Sequence, residues 1–169
     1  MVQDDLVVLF ERLHDDVSLP ARQTKGSAGY DLRAYLKARD VVVRHGATGA
    51  LSEVHVNDGR LDLEPSDTAL VPTGLKARVP EGYEAQVRIR SSLAFRRGLI
   101  LPNAPGTIDA DYPDEWLVMV KNDSAEPVAI EHGERIAQVV FSKFAVLPWR
   151  EDRVVISTDR QGGLGSTGV

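Results

Sequence analysis

Turn residues cut this chain into short pieces, and that limits its fold more than any other feature. From residue 6 to residue 141, short apolar runs recur about every ten residues, each closed by Gly, Pro, Asn or Asp. Residues 84–89 alternate strictly, with Ala85, Val87 and Ile89 on one face and Glu84, Gln86 and Arg88 on the other. That is the period of a half-buried strand. Residues 6–13, Val41-Val42-Val43, 51–56, 61–63, 69–80, 128–130 and 136–141 supply further β-type segments. Asn57-Asp58-Gly59 has the residues of a hairpin turn, since all three tolerate positive φ. No stretch keeps a helical period, and one short helix is expected near 92–97. The pattern predicts an all-β sandwich or barrel in one domain, 1–156, long enough to bury a real core. Residues 157–169 hold four glycines and almost nothing apolar, and are expected to form a flexible C-terminal arm.

Residues 102–115, Pro-Asn-Ala-Pro-Gly-Thr-Ile-Asp-Ala-Asp-Tyr-Pro-Asp-Glu, lie between the apolar runs Leu99-Ile100-Leu101 and 116–120. A buried strand, a rigid turn and a second buried strand follow, with Asp109, Asp111 and Tyr112 displayed at the turn. Acids on a hairpin either shape the turn or carry chemistry, and the residues alone leave both open. Gly26-Ser27-Ala28-Gly29 permits close backbone approach just before Asp31, whose carboxylate either bonds local amides or meets a ligand. Arg90-Ser91-Ser92 follows the alternating strand. A guanidinium, two hydroxyls and free amides make a phosphate cradle, but serine is also a favoured helix cap. Gly162-Gly163-Leu164-Gly165-Ser166-Thr167-Gly168 offers amides and hydroxyls without the Lys-Ser or Lys-Thr pair of a P-loop, and glycine-rich tails are often plain flexible chain.

A net charge of −5 argues against a broad grip on nucleic acid, while Arg88, Arg90, Arg96 and Arg97 suit a small anionic ligand. The absence of cysteine excludes disulfides, thiolate metal sites and cysteine nucleophiles. His14, His45, His55 and His132 are scattered without metal-type spacing and are expected in turns or at the surface. No Gly-x-Ser-x-Gly elbow is present, so a serine–histidine triad has no support. No window approaches the ~18 apolar residues of a membrane span, and residues 1–10 lack the core of a signal peptide. A cytoplasmic protein without membrane association is the expectation.

Five stretches, in order, resemble the motifs of the homotrimeric deoxyuridine triphosphatases (dUTPases). They are Ala28-Gly29-Tyr30-Asp31-Leu32-Arg33-Ala34, Arg90-Ser91-Ser92-Leu93-Ala94, Gly106-Thr107-Ile108-Asp109-Ala110-Asp111-Tyr112, Gly133-Glu134-Arg135-Ile136-Ala137-Gln138 and the glycine-rich 162–168. The likeness covers about residues 28–169. It implies a jelly-roll-like β-barrel and a homotrimer with three shared active sites, each closed by the arm of another subunit. The implied reaction converts dUTP and water to dUMP and pyrophosphate, with Mg2+ held by the triphosphate; it limits uracil in DNA and supplies dUMP for thymidylate synthesis. Asp109 would activate the water attacking the α-phosphorus, and Gln138 would contact a phosphate or that water. Tyr112 would pack under deoxyribose. Asn103 would read uracil together with Gly106 and the main-chain groups of Thr107, Ile108 and Leu117. Arg90, Ser91 and Ser92 would bind phosphates, and Asp31 would reach the metal only through water. Gly165, Ser166 and Thr167 would hold the γ-phosphate, with Arg160 as their charged partner.

The sequence departs from the family pattern in several places. Leu164 stands where an aromatic usually stacks on the base, a loss of about 1 kcal/mol in lid closure. Only Gln161 separates Arg160 from Gly162, Ser92 replaces a common glycine, and Pro113-Asp114 replaces Arg-Gly. Residues 36–67 exceed the family core and are expected to insert a β-hairpin. The sequence leaves two other readings: a dCTP deaminase, which shares the fold and trimer, and a non-catalytic nucleotide-binding trimer.

Overall fold

A computed structural model describes residues 6–155. Thirteen strands and one helix make up this part of the chain. Strands β10 (Gly106–Ile108), β8 (Tyr83–Ile89), β13 (Arg135–Lys143) and β2 (Tyr30–Arg33) form one sheet in that order. A five-stranded sheet runs β4 (Leu51–Val56), β3 (Arg39–Arg44), β6 (Thr68–Pro72), β11 (Leu117–Asn122) and β9 (Leu99–Ile100). Two ribbons complete the set: β1 (Leu9–Arg12) with β7 (Leu75–Arg78), and β12 (Val128–Glu131) with β5 (Arg60–Leu63). The fold is an all-β jelly roll with one short helix. No helix among the described residues is long and apolar enough to cross a membrane.

The alternation in 84–89 explains why β8 lies at the centre of its sheet. Ala85 and Val87 are buried while Arg88 is exposed, and β13 pairs with β8 from Ala137↔Ile89 to Lys143↔Tyr83. The other face of the core comes from the five-stranded sheet, with Val41, Val71, Val118 and Val120 fully buried. Leu32, Leu61, Leu63, Ile130 and Ile136 fill the space between them. Each such side chain contributes about 2 kcal/mol on leaving water.

Three sequence expectations change. Asn57-Asp58-Gly59 does not close a hairpin, because β4 pairs with β3 while β5 pairs with β12. Leu61 and Leu63 are buried in the ladder with Ile130 and Val128, and Arg60 pairs with Glu131 at its end. Tertiary pairing thus overrides a local turn preference. Residues 102–115 are not a simple turn either. β9 does pair with β11, but Gly106–Ile108 leaves to become β10 on the edge of the other sheet, covering backbone groups that β8 would otherwise expose. The first strand is also shorter than residues 6–13.

Asn122 is a fully buried polar residue among these apolar ones. Its amide donates to the Leu63 and Glu126 carbonyls, and its oxygen accepts from the Ser124 amide and hydroxyl. Asn122→Ala would strand these groups inside the protein. A loss of about 3 kcal/mol in unfolding free energy is expected, measurable by urea denaturation.

Candidate active site

Helix α1 (Ser91–Arg97) begins where β8 ends. Its N-cap is Arg90, which makes no side-chain capping bond, so the serines are not caps but the first residues of the helix. Gly98 ends the helix at φ 64°, and a side chain there would press on Ser124. Ser91 and Ser92 are exposed and line a cavity of about 190 Å3 with Gln23, Ser27, Gly29, Asp31, Arg90 and Gln138. Three of the sequence motifs therefore meet at one place.

Sheet register explains the meeting. Asp31 on β2 faces Gln138 on β13, which faces Arg88 on β8. Gln138 folds over Gly29 so closely that a Cβ there would lie 2.2 Å from its Oε1. Asp31 is held between two cations: Arg135 donates to Oδ2 at 3.1 Å, and Arg90 Nε lies 3.5 Å from Oδ1. Arg90 also donates to the Arg135 carbonyl. Two guanidiniums against one carboxylate leave net positive charge beside two hydroxyls, an arrangement that suits phosphate oxygens. Arg135, Gln23 and Ser27 were not singled out in the sequence. Arg135 could have been found as the cation of its motif, and Ser27 as the neighbour of Ala28-Gly29, but nothing marked Gln23. As Asp31 is the only carboxylate lining this cavity among the described residues and is already ion-paired, the donor set suits Mg2+ carried by phosphates and water.

The second group of residues lies on the segment 102–117. Asp109, Tyr112, Asn103 and Thr107 are exposed, and the Tyr112 amide donates to the Asp109 carbonyl. Asn103 Nδ2 lies 3.1 Å from where a Cβ on Gly106 would stand, so its side chain folds back over that glycine. Ile108 follows on β10, and Leu117 opens β11 opposite Pro72. Beside the tip, a cavity of about 400 Å3 is lined by Ala110, Asp111, Tyr112 and Pro113 on one side and β1 and β7 on the other.

These two groups are not adjacent within one chain. Ile108 pairs with Ala85 near the start of β8, whereas Arg90 and Ser91 follow its end. At about 3.3 Å per extended residue, the Asp109 tip and the serines lie roughly 20 Å apart. Arg160, Leu164, Gly165, Ser166 and Thr167 lie outside the described residues.

The turn Glu131-His132-Gly133-Glu134 leads into β13 and Arg135. His132 Nδ1 accepts the Leu36 amide at 3.1 Å, and its ring meets Tyr35 edge-on at 5.0 Å, while His14 stacks on the same tyrosine at 4.5 Å. Two scattered histidines thus converge on Tyr35, whose hydroxyl donates to Asp16. Burial holds the His132 pKa below the ordinary 6.5, with the Lys37 charge acting in the same direction. A depressed folded pKa gives stability that is complete above pH 6.5 and lost as pH falls through the folded value. His55, raised by its hydrogen bond to Asp40, works the other way: its contribution is present below pH 6.5 and lost as pH rises through the folded value. The Tm is expected to fall as pH drops below 6.5, and His132→Asn, which keeps an acceptor for Leu36, should flatten that fall in thermal melts followed across pH.

A family model described as dUTPase matches residues 58–168. The deoxyuridine 5'-triphosphate nucleotidohydrolase of Rhizobium rhizogenes is 43% identical over 154 residues, covering 90% of this chain and 86% of that protein. The Staphylococcus bacteriophage 80alpha dUTPase, solved with dUPNHPP, superposes with a TM-score of 0.75 at 23% identity, covering 96% of this chain and 99% of that one. A variant dUTPase from phage phi11 of S. aureus, described with a coordinated structural Mg(II) ion, gives a TM-score of 0.69 at 19% identity over 89% of this chain and 99% of its own.

Proposed function

The chain belongs to the dUTPase family, and from that premise we propose that it cleaves dUTP with water to dUMP and pyrophosphate at sites shared between the subunits of a homotrimer. The observation that carries the shared site is the separation of the Asp109 hairpin from the Arg90-Ser91-Ser92 cradle, roughly 20 Å within one subunit. A substrate α-phosphorus cannot touch both unless a second copy brings its hairpin to the first copy's cradle.

In this reading the Asp109 carboxylate takes a proton from a water aimed at the α-phosphorus. The new P–O bond forms as the bond to the β-phosphate oxygen breaks and pyrophosphate leaves. Arg90, Ser91 and Ser92 hold phosphate oxygens, and Gln138 orients the phosphate or the water from its seat over Gly29. Asn103 and the main chain of Gly106, Thr107, Ile108 and Leu117 read the uracil edge, which excludes cytosine through mismatched donors and acceptors. The Tyr112 ring stands where a ribose 2′-hydroxyl would clash. Arg160, Gly165, Ser166 and Thr167 of the arm hold the γ-phosphate, and Leu164 covers the base. Mg2+ on the triphosphate would neutralise phosphate charge, with Asp31 reaching it through water. The product dUMP would serve thymidylate synthesis, and removal of dUTP would keep uracil out of DNA, in the cytoplasm.

Pyrophosphate release from dUTP, dCTP and UTP tests the reading. Turnover of dUTP alone supports it. Conversion of dCTP to dUTP or dUMP would make the protein a deaminase, and binding without turnover would leave a nucleotide-binding trimer.

A further inference from the structure

The hairpin β3–β4 pairs with the rest of its sheet at Val43↔Ala69 and Arg44↔Thr68, and Gly46 at its turn donates to Asp67. The dUTPase model match starts after it, at residue 58. At its other end, Arg39 reaches out of the hairpin to the end of the Asp109 segment. Arg39 Nη2 lies 2.5 Å from Glu115 Oε2, and its Nη1 lies 3.2 Å from His14 Nε2. The second Glu115 oxygen accepts the Gly74 amide at 2.6 Å. Both charges are largely buried, with side chains 21% and 14% exposed. An ion pair held in this way is geometrically fixed, unlike an exposed pair, and removing one partner leaves the other charge poorly solvated.

Glu115 ends the stretch 102–115, two positions before β11 begins at Leu117. The Tyr112 hydroxyl lies 3.4 Å from the Glu115 carbonyl, and the Tyr112 amide donates to the Asp109 carbonyl. Trp116 is buried, and its amide donates to Leu75. The tip is thus tied down on its C-terminal side by the Trp116 backbone, bonded to Leu75 and Thr73, and by one carboxylate bridging the Gly74 turn and Arg39. We propose that Arg39, supplied by the β3–β4 hairpin, is a positioning and specificity residue: through Glu115 it stiffens the wall formed by Tyr112 and so sharpens discrimination of deoxyribose from ribose. This rests on the dUTPase reading above. Steric rejection of a 2′-hydroxyl requires a wall that does not yield, and displacements of about 1 Å can change rates by as much as 10²-fold.

The test uses Arg39→Met, Glu115→Gln and the double variant of the full chain. The glutamine retains an acceptor for Gly74, so it removes the charge pair and spares the backbone bond. Each single variant is expected to lower the dUTP/UTP ratio of kcat/KM about tenfold, mainly by raising UTP turnover, and the double variant to fall no further than either single. In the ligand-free protein, amide exchange over 109–117 should accelerate about tenfold, with β8 and β13 unchanged. An unchanged ratio, additive losses, or faster exchange spread over the whole molecule would overturn the proposal. Inactive wild type would refute the dUTPase reading, whereas an active wild type with unaltered variants would refute the clamp. Exchange over 109–117 that Arg39→Met leaves unchanged refutes the clamp whatever the activity.

Discussion

Asp109→Asn is expected to lower kcat for dUTP about 10³-fold while changing nucleotide affinity less than about threefold. The asparagine keeps the shape of a side chain that is exposed and outside the core. It also leaves the Tyr112 amide bonded to the residue 109 carbonyl, so the segment itself should not move. What disappears is the carboxylate proposed to accept a proton from the attacking water. Pyrophosphate release gives kcat, and calorimetric titration with a non-hydrolysable imido analogue of dUTP gives affinity. Loss of both in equal measure would make Asp109 a structural residue.

The candidate site stretches stood out in the sequence because their residue types are unusual for their place in a β chain. An arginine and two serines at a strand end, an acid after paired glycines, and a Pro- and Asp-rich segment between two apolar runs each break the strand pattern. Alternation in 84–89 correctly identified the buried face of β8, because that periodicity depends only on which side meets the core. Strand pairing was far less legible. Nothing local told Asn57-Asp58-Gly59 that its flanking strands would find partners elsewhere, since Leu61 could have been buried beside either β4 or β12. For the same reason β10 was hidden inside an apparent turn: its three residues form a strand only because β8 offers an edge. Arg135 and Arg39 were missed because an arginine's role is set by the carboxylate it meets. Asp31 and Glu115 are 104 and 76 positions away from them in sequence.

Gly29→Ala should damage activity out of proportion to the single methyl group it adds. Its Cβ would lie 2.2 Å from Gln138 Oε1, 3.0 Å from Cδ and 3.1 Å from Cβ, so the whole glutamine side chain has to swing away. Gln138 stands on the central strand β13, with Asp31 and Arg88 as its neighbours across the ladder, and its backbone cannot follow. The amide group would leave the cavity while the sheet stayed intact. Because the clash falls on a side chain that is only partly buried, stability should change by less than about 1 kcal/mol, in contrast to substitutions that create a cavity or strand buried polar groups. Activity should suffer far more, with kcat/KM for dUTP falling about 10²-fold, as expected when a group that orients phosphate or water is displaced by more than 1 Å. Gln138→Ala provides the comparison. If Gly29→Ala acts only by expelling the glutamine, the double variant should be no slower than Gln138→Ala alone, and a further loss in the double would mean that Gly29 itself keeps the backbone close to the substrate.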